Sequence, residues 1–96
     1  MSAQLTPNPR FSLGQLVATP GALEALNEIN FLPATLIKRH HHGDWGDLDD
    51  EDKVANEEAL ANFDRIFSAY IIQNVKFWVI TEADRSVTTI LLPSEY

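Results

Sequence analysis

Ninety-six residues, 45% hydrophobic and 22% charged, suit one globular domain with a single modest core. A formal net charge of −7 and a pI near 4.7 argue against direct nucleic-acid binding, which needs a basic surface to release counterions. The lack of cysteine excludes a disulfide framework and a thiolate metal site and agrees with a cytoplasmic setting. No stretch approaches the roughly 20 apolar residues of a membrane span, so no membrane is expected.

The opening residues Met1-Ser-Ala-Gln-Leu-Thr-Pro-Asn-Pro have neither the basic nor the apolar run of a signal peptide. Residues 1–10 are expected to form a flexible tail, and residues 11–96 a single α+β domain. The mixed apolar and small residues 11–18 suit a short early strand. Thr19-Pro20 starts a first helix, Thr as N-cap and Pro at the first helical position, with Ala22, Leu23, Leu26 and Ile29 as its apolar stripe. Pro33 opens a second, short helix, in which Leu36, Ile37 and His40 or His41 share a face. Gly43 suits the position just past its end. The acidic run Asp49-Asp-Glu-Asp52 caps and fills the first turn of a third helix. Its stripe would be Val54, Leu60, Ala61 and Phe63.

From Arg65 the period becomes strand-like. Residues 65–72, 75–82 and 87–92 are rich in β-branched and aromatic residues, and Pro93 ends the last run. Gln73-Asn74 makes a two-residue hairpin turn. That register sets Ile72 against Val75, Tyr70 against Phe77 and Ser68 against Val79. One face then carries Ile66, Tyr70, Ile72, Val75, Phe77, Val79, Ile90 and Leu92. The other carries Phe67, Ala69, Ile71, Trp78, Ile80 and Leu91, with Lys76 and Glu82. The predicted fold class is α+β: N-terminal helices packed on a C-terminal three-stranded antiparallel meander, with an early strand at its edge. Short helices cover one face. The second needs a cover of its own, either a second copy or the N-terminal segment.

The stretch Arg39-His-His-His-Gly-Asp-Trp-Gly-Asp-Leu48 sits at the joint between the helices and the strands. His40, His41 and His42 with Asp44, Asp47 and Asp49 invite a metal reading. Consecutive residues on a helix diverge by about 100°, so no metal site and no cofactor are expected. His40 or His42 with Asp44 or Asp47 would fill two roles of an acid–base site, with Arg65 or Arg85 nearby in support. No nucleophile is marked, and Ser68, Thr88 and Thr89 read as ordinary strand residues. Trp45 between two glycines either plugs the joint or is displayed to a partner; close backbone packing favours the plug. Glu82, Asp84 and Arg85 at the second turn suggest a local ion pair.

Several strings here resemble a family of small bacterial proteins of unknown function associated with plasmids and mobile elements. They are Gly43-Asp-Trp-Gly-Asp-Leu48, Ser68-Ala-Tyr70 and Ile80-Thr-Glu-Ala-Asp-Arg-Ser86, with Thr88-Thr-Ile-Leu91 and Glu95-Tyr96. The resemblance spans roughly residues 11–96 and implies a bacterial, mobile-element context but no activity. His42 stands where the family pattern has Arg, and the 73–74 turn lacks its Gly. The order of elements is also similar to that of small toxin ribonucleases of the RelE type, whose strongly basic charge is missing here.

These readings point to an acidic, non-catalytic interaction protein: a homodimer, acting on a basic protein partner. Its contact residues would be Phe67, Ile71, Trp78, Ile80 and Leu91, with Trp45 as a sixth. The alternative is a small nuclease-like hydrolase built on His40, Asp44, Asp47 and Arg85.

Overall fold

A computed structural model describes residues 8–96. The fold is α+β, with three helices and one four-stranded mixed sheet. In chain order the elements are β1 (Gln15–Ala18), α1 (Pro20–Glu28), α2 (Pro33–His41), α3 (Asp50–Asn62), β2 (Ile66–Ile72), β3 (Val75–Thr81) and β4 (Val87–Leu91), followed by a 3-10 turn at Pro93–Glu95. The sheet order is β1-β4-β3-β2, with the meander antiparallel and β1 added parallel to β4.

Local chemistry sets the joints. The Thr19 hydroxyl accepts from the Ala22 N–H, and Pro20 follows it at the head of α1. Asp49 accepts from the Asp52 N–H at the head of α3. Past α2, Gly43 takes φ +86°; its N–H reaches His40 O, and the Asp44 N–H reaches Arg39 O. This pair of bonds satisfies the last carbonyls of the helix. Gln73 and Asn74 both take positive φ, as a tight two-residue hairpin requires. The resulting register pairs Ile72 with Val75, Tyr70 with Phe77 and Ser68 with Val79.

The main core lies between α1, α2 and one face of the sheet. Ala22, Leu26 and Leu36 meet Tyr70, Phe77, Val79 and Ile90, all buried. Full burial of an aromatic such as Phe77 contributes on the order of 2–3 kcal/mol. A smaller cluster of Trp45, Ala59 and Ile66, with Phe11, Leu48 and Leu60 against it, joins α3 to the end of the sheet.

Two expectations fail. The buried face of α3 is Asn56 and Ala59, whereas Val54 and Phe63 are exposed. The helix docks beside the edge strand β2 rather than over the sheet, so a polar contact replaces an apolar stripe. Arg10, assigned to the tail, is tied to the domain. Its N–H donates to His41 O, and its guanidinium forks onto Glu57 at 2.8 and 2.9 Å. The rest of the tail, residues 1–7, lies outside the described residues.

Candidate functional site

His40 is the centre of a buried polar chain. Its Nε2 lies 2.9 Å from Thr81 Oγ1, and its Nδ1 lies 2.6 Å from Ser68 Oγ. Thr81 Oγ1 is 2.6 Å from Thr88 Oγ1, which donates to the Leu13 carbonyl at 2.7 Å. These contacts order the protons. Thr88 spends its one proton on Leu13, so Thr81 must donate to Thr88. His40 Nε2 must then carry the proton given to Thr81, and Nδ1 accepts from Ser68. The chain ties α2 to β2, β3, β4 and the segment before β1.

Burial, helped by the neighbouring His41 charge, pushes the His40 pKa from 6.5 down to about 3. The ring is therefore neutral at ordinary pH. Ser68 donating to a histidine nitrogen has the connectivity of a nucleophile and its base. Here His40, Ser68 and Thr81 are each 0% exposed, so no substrate reaches them. Of these hydroxyls, the sequence presents Ser68 and Thr88 as ordinary strand residues. The available signal was their position: Ser68, Thr81 and Thr88 fall at inward-facing steps of otherwise apolar strands.

The other candidates do not converge with His40. The Asp44 carboxylate pairs with Arg39 at 2.7 Å and caps the Gly46 N–H at 3.1 Å. Partial burial opposes ionisation there, but Arg39 holds the carboxyl below its usual range. The Asp44 carbonyl accepts from the Tyr70 hydroxyl, and Arg39 stacks 4.5 Å over the Tyr70 ring. Asp47 accepts from the Ile71 N–H at 2.8 Å. Arg85 donates to the carbonyls of Asp64 and Ala59, closing the end of α3. The expected ion pair within the turn is replaced: Glu82 meets Arg65, and Asp84 accepts from the Ser86 N–H. Among the described residues no group of three or more His, Cys, Asp or Glu is placed to hold a metal ion.

The Gly-Asp-Trp-Gly-Asp string acts as a strap along the outer edge of β2. Ala69 N–H donates to Trp45 O, Asp47 N–H donates to Ala69 O, and the Asp47 side chain takes the Ile71 N–H. One step earlier, Asn56 takes the Phe67 N–H at 3.0 Å and donates to its carbonyl at 2.6 Å. Five outward backbone groups of β2 are thus bonded. Gly46 sits against the strand at φ +78°, where a Cβ would lie 2.1 Å from Ala69 O. Trp45 is 5% exposed, with its indole N–H on Glu57 at 2.9 Å. It is the plug, and it is withdrawn from the contact surface.

The far face of the sheet lies opposite the one on which α1 and α2 pack. Phe67, Trp78 and Tyr96 form an edge-to-face row, with centroid spacings of 5.1 and 5.6 Å. Ala69, Ile80 and Leu91 are buried on this face, so Ile80 and Leu91 support the surface more than they present it. The Tyr96 hydroxyl accepts from Arg65, and the residue stays 73% exposed. Ile71 is 50% exposed. A hollow of about 270 Å³ opens among Arg65, Phe67, Trp78, Ile80 and Tyr96. Among the described residues, Phe11 packs edge-on to His40 and His41 on the helix side rather than on this face. Among the described residues no helix is long and apolar enough to cross a membrane. No protein-family model, curated protein or solved structure matches the chain.

Proposed function

We propose that the chain is a non-catalytic interaction module that pairs with a second copy through the open face of its sheet and offers an acidic surface to a basic protein partner. The observation that carries this reading is the apolar row of half-buried Phe67 and Trp78 with exposed Tyr96, beside exposed Ile71. An antiparallel sheet with one packed face normally turns polar residues outward on the other. A self-complementary contact about a two-fold axis covers two such faces at once. The net charge of −7 and the exposed start of α3, Asp49 to Asp52, support a basic partner. The resemblance of the Gly-Asp-Trp-Gly-Asp-Leu and Ile-Thr-Glu-Ala-Asp-Arg-Ser strings supports a mobile-element setting. A hydrolase reading gains no support, because His40 is sealed and bonded to hydroxyls rather than to Asp44 or Asp47.

The test is sedimentation of the wild type and of Trp78→Glu. The account expects a wild-type dimer and a folded monomeric variant, because the charge falls on the open face while Tyr70, Phe77 and Val79 hold the core. A wild type that stays monomeric at high concentration, or a variant that still dimerises, overturns it.

A further inference from the structure

The two edges of the sheet differ. The β2 edge is sealed by Asn56, Asp47 and the strap. Among the described residues the β1 edge is open, with β4 as its one neighbour in the sheet. Gln15 N–H donates to Ser86 O at 2.9 Å, and Thr19 N–H donates to Ile90 O at 3.0 Å. Alternation along the strand then turns the N–H and C=O groups of Leu16 and Ala18 away from β4. Exposed edges are normally blunted by charge or by cover. Residues 13–20 carry no charged side chain, and Leu16 and Val17 are 53% and 39% exposed.

Beside this edge, on the helix side of the sheet, lies an apolar groove of about 530 Å³. Its walls include Leu16 from β1, Leu23 from α1, and Ala34 and Ile37 from α2. The ionisable residues in the wall are Lys38 and His41, and no acid is among them. The volume falls in the range of ligand sites. A strand added to β1 would set every second side chain over this groove.

We propose that the β1 edge takes an extended segment of another protein as a fifth strand, with alternate apolar side chains in the groove and a carboxylate against Lys38. Main-chain bonds to Leu16 and Ala18 supply the pairing, and the groove selects the side chains. Charge complementarity decides the occupant. A second copy presenting its own β1 brings no acid to Lys38, because residues 13–20 are uncharged. This surface is separate from the open sheet face, so either proposal can fail without the other.

The probe is a displayed library of random peptides, selected on the wild type and counter-selected on Leu16→Pro. Proline at 16 removes an outward N–H while leaving the bonds to β4 in place. Lys38→Glu, at an exposed position, is the second variant. The expected result is a set of peptides with alternating apolar residues and an Asp or Glu. They shift the amide signals of Leu16, Ala18 and Ile37 and bind Lys38→Glu about tenfold or more weakly, as a reversed charge at the contact implies. No enrichment over the counter-selection overturns the proposal. So do peptides that shift Trp78 and Tyr96 instead, or that bind Lys38→Glu equally well. Wild-type self-association that Leu16→Pro abolishes and Trp78→Glu does not would assign the edge to a second copy and also overturn it.

Discussion

Acidification is expected to destabilise the protein through His40, and His40→Gln isolates the effect. The ring is neutral when folded, with its pKa pushed by burial from 6.5 to about 3, and it titrates normally when unfolded. Below 6.5 the unfolded chain therefore binds a proton that the folded chain refuses. Stability falls as pH drops from 6.5 toward 3, and nothing further is lost below that. At about 1.36 kcal/mol per unit, the loss reaches about 2 kcal/mol by about pH 5. Glutamine keeps one donor for Thr81 and one acceptor for Ser68 but does not titrate. The variant is expected to start less stable at neutral pH, because an amide fits a ring-shaped site imperfectly. Urea unfolding of both proteins at about pH 7 and about pH 5 gives the comparison. Every other titrating group is common to the two. The wild type should lose about 2 kcal/mol more than the variant across that interval. Parallel losses would mean that His40 is not held neutral by burial, and the proton order along Ser68, His40, Thr81 and Thr88 would fall with it.

Other substitutions test the remaining joints. Gly46→Ala sets a Cβ 2.1 Å from Ala69 O at a left-handed φ; thermal unfolding should show a loss of about 3 kcal/mol or more, with the strap lifted from β2. Asn56→Ala orphans the Phe67 N–H and carbonyl and should cost about 2–3 kcal/mol by denaturant unfolding, with aggregation rising as the β2 edge opens. Phe63 ends α3 at φ +56° while 70% exposed, so Phe63→Gly should raise the stability measured in urea by about 1 kcal/mol.

Much of the architecture was legible because it rests on short-range chemistry. Thr19-Pro20, Gly43 and the Gln73-Asn74 turn each act within a few residues. The turn then determines the register, and with it the inward row of Tyr70, Phe77 and Val79. What escaped the sequence depends on partners far away along the chain. Asn56 is a polar residue on a helix of weak amphipathic pattern, and its value lies in two bonds to Phe67. The strap residues read as turn chemistry, yet their function is to seal a strand whose position the turn does not reveal. His40 was a candidate for chemistry, and burial among three hydroxyls from different strands makes it structural. The parallel pairing of β1 with β4 likewise joins segments about seventy residues apart, beyond the reach of periodicity.

On the proposed function, the molecule acts through the aromatic face of the sheet and not through the histidine-rich stretch. The most direct test is the sedimentation of the wild-type protein over a range of concentrations at low and high salt. Apolar pairing between two chains of charge −7 should give a dimer that tightens as salt screens the repulsion. A monomer at every concentration and both salt levels, or a dimer that salt dissociates, would contradict it.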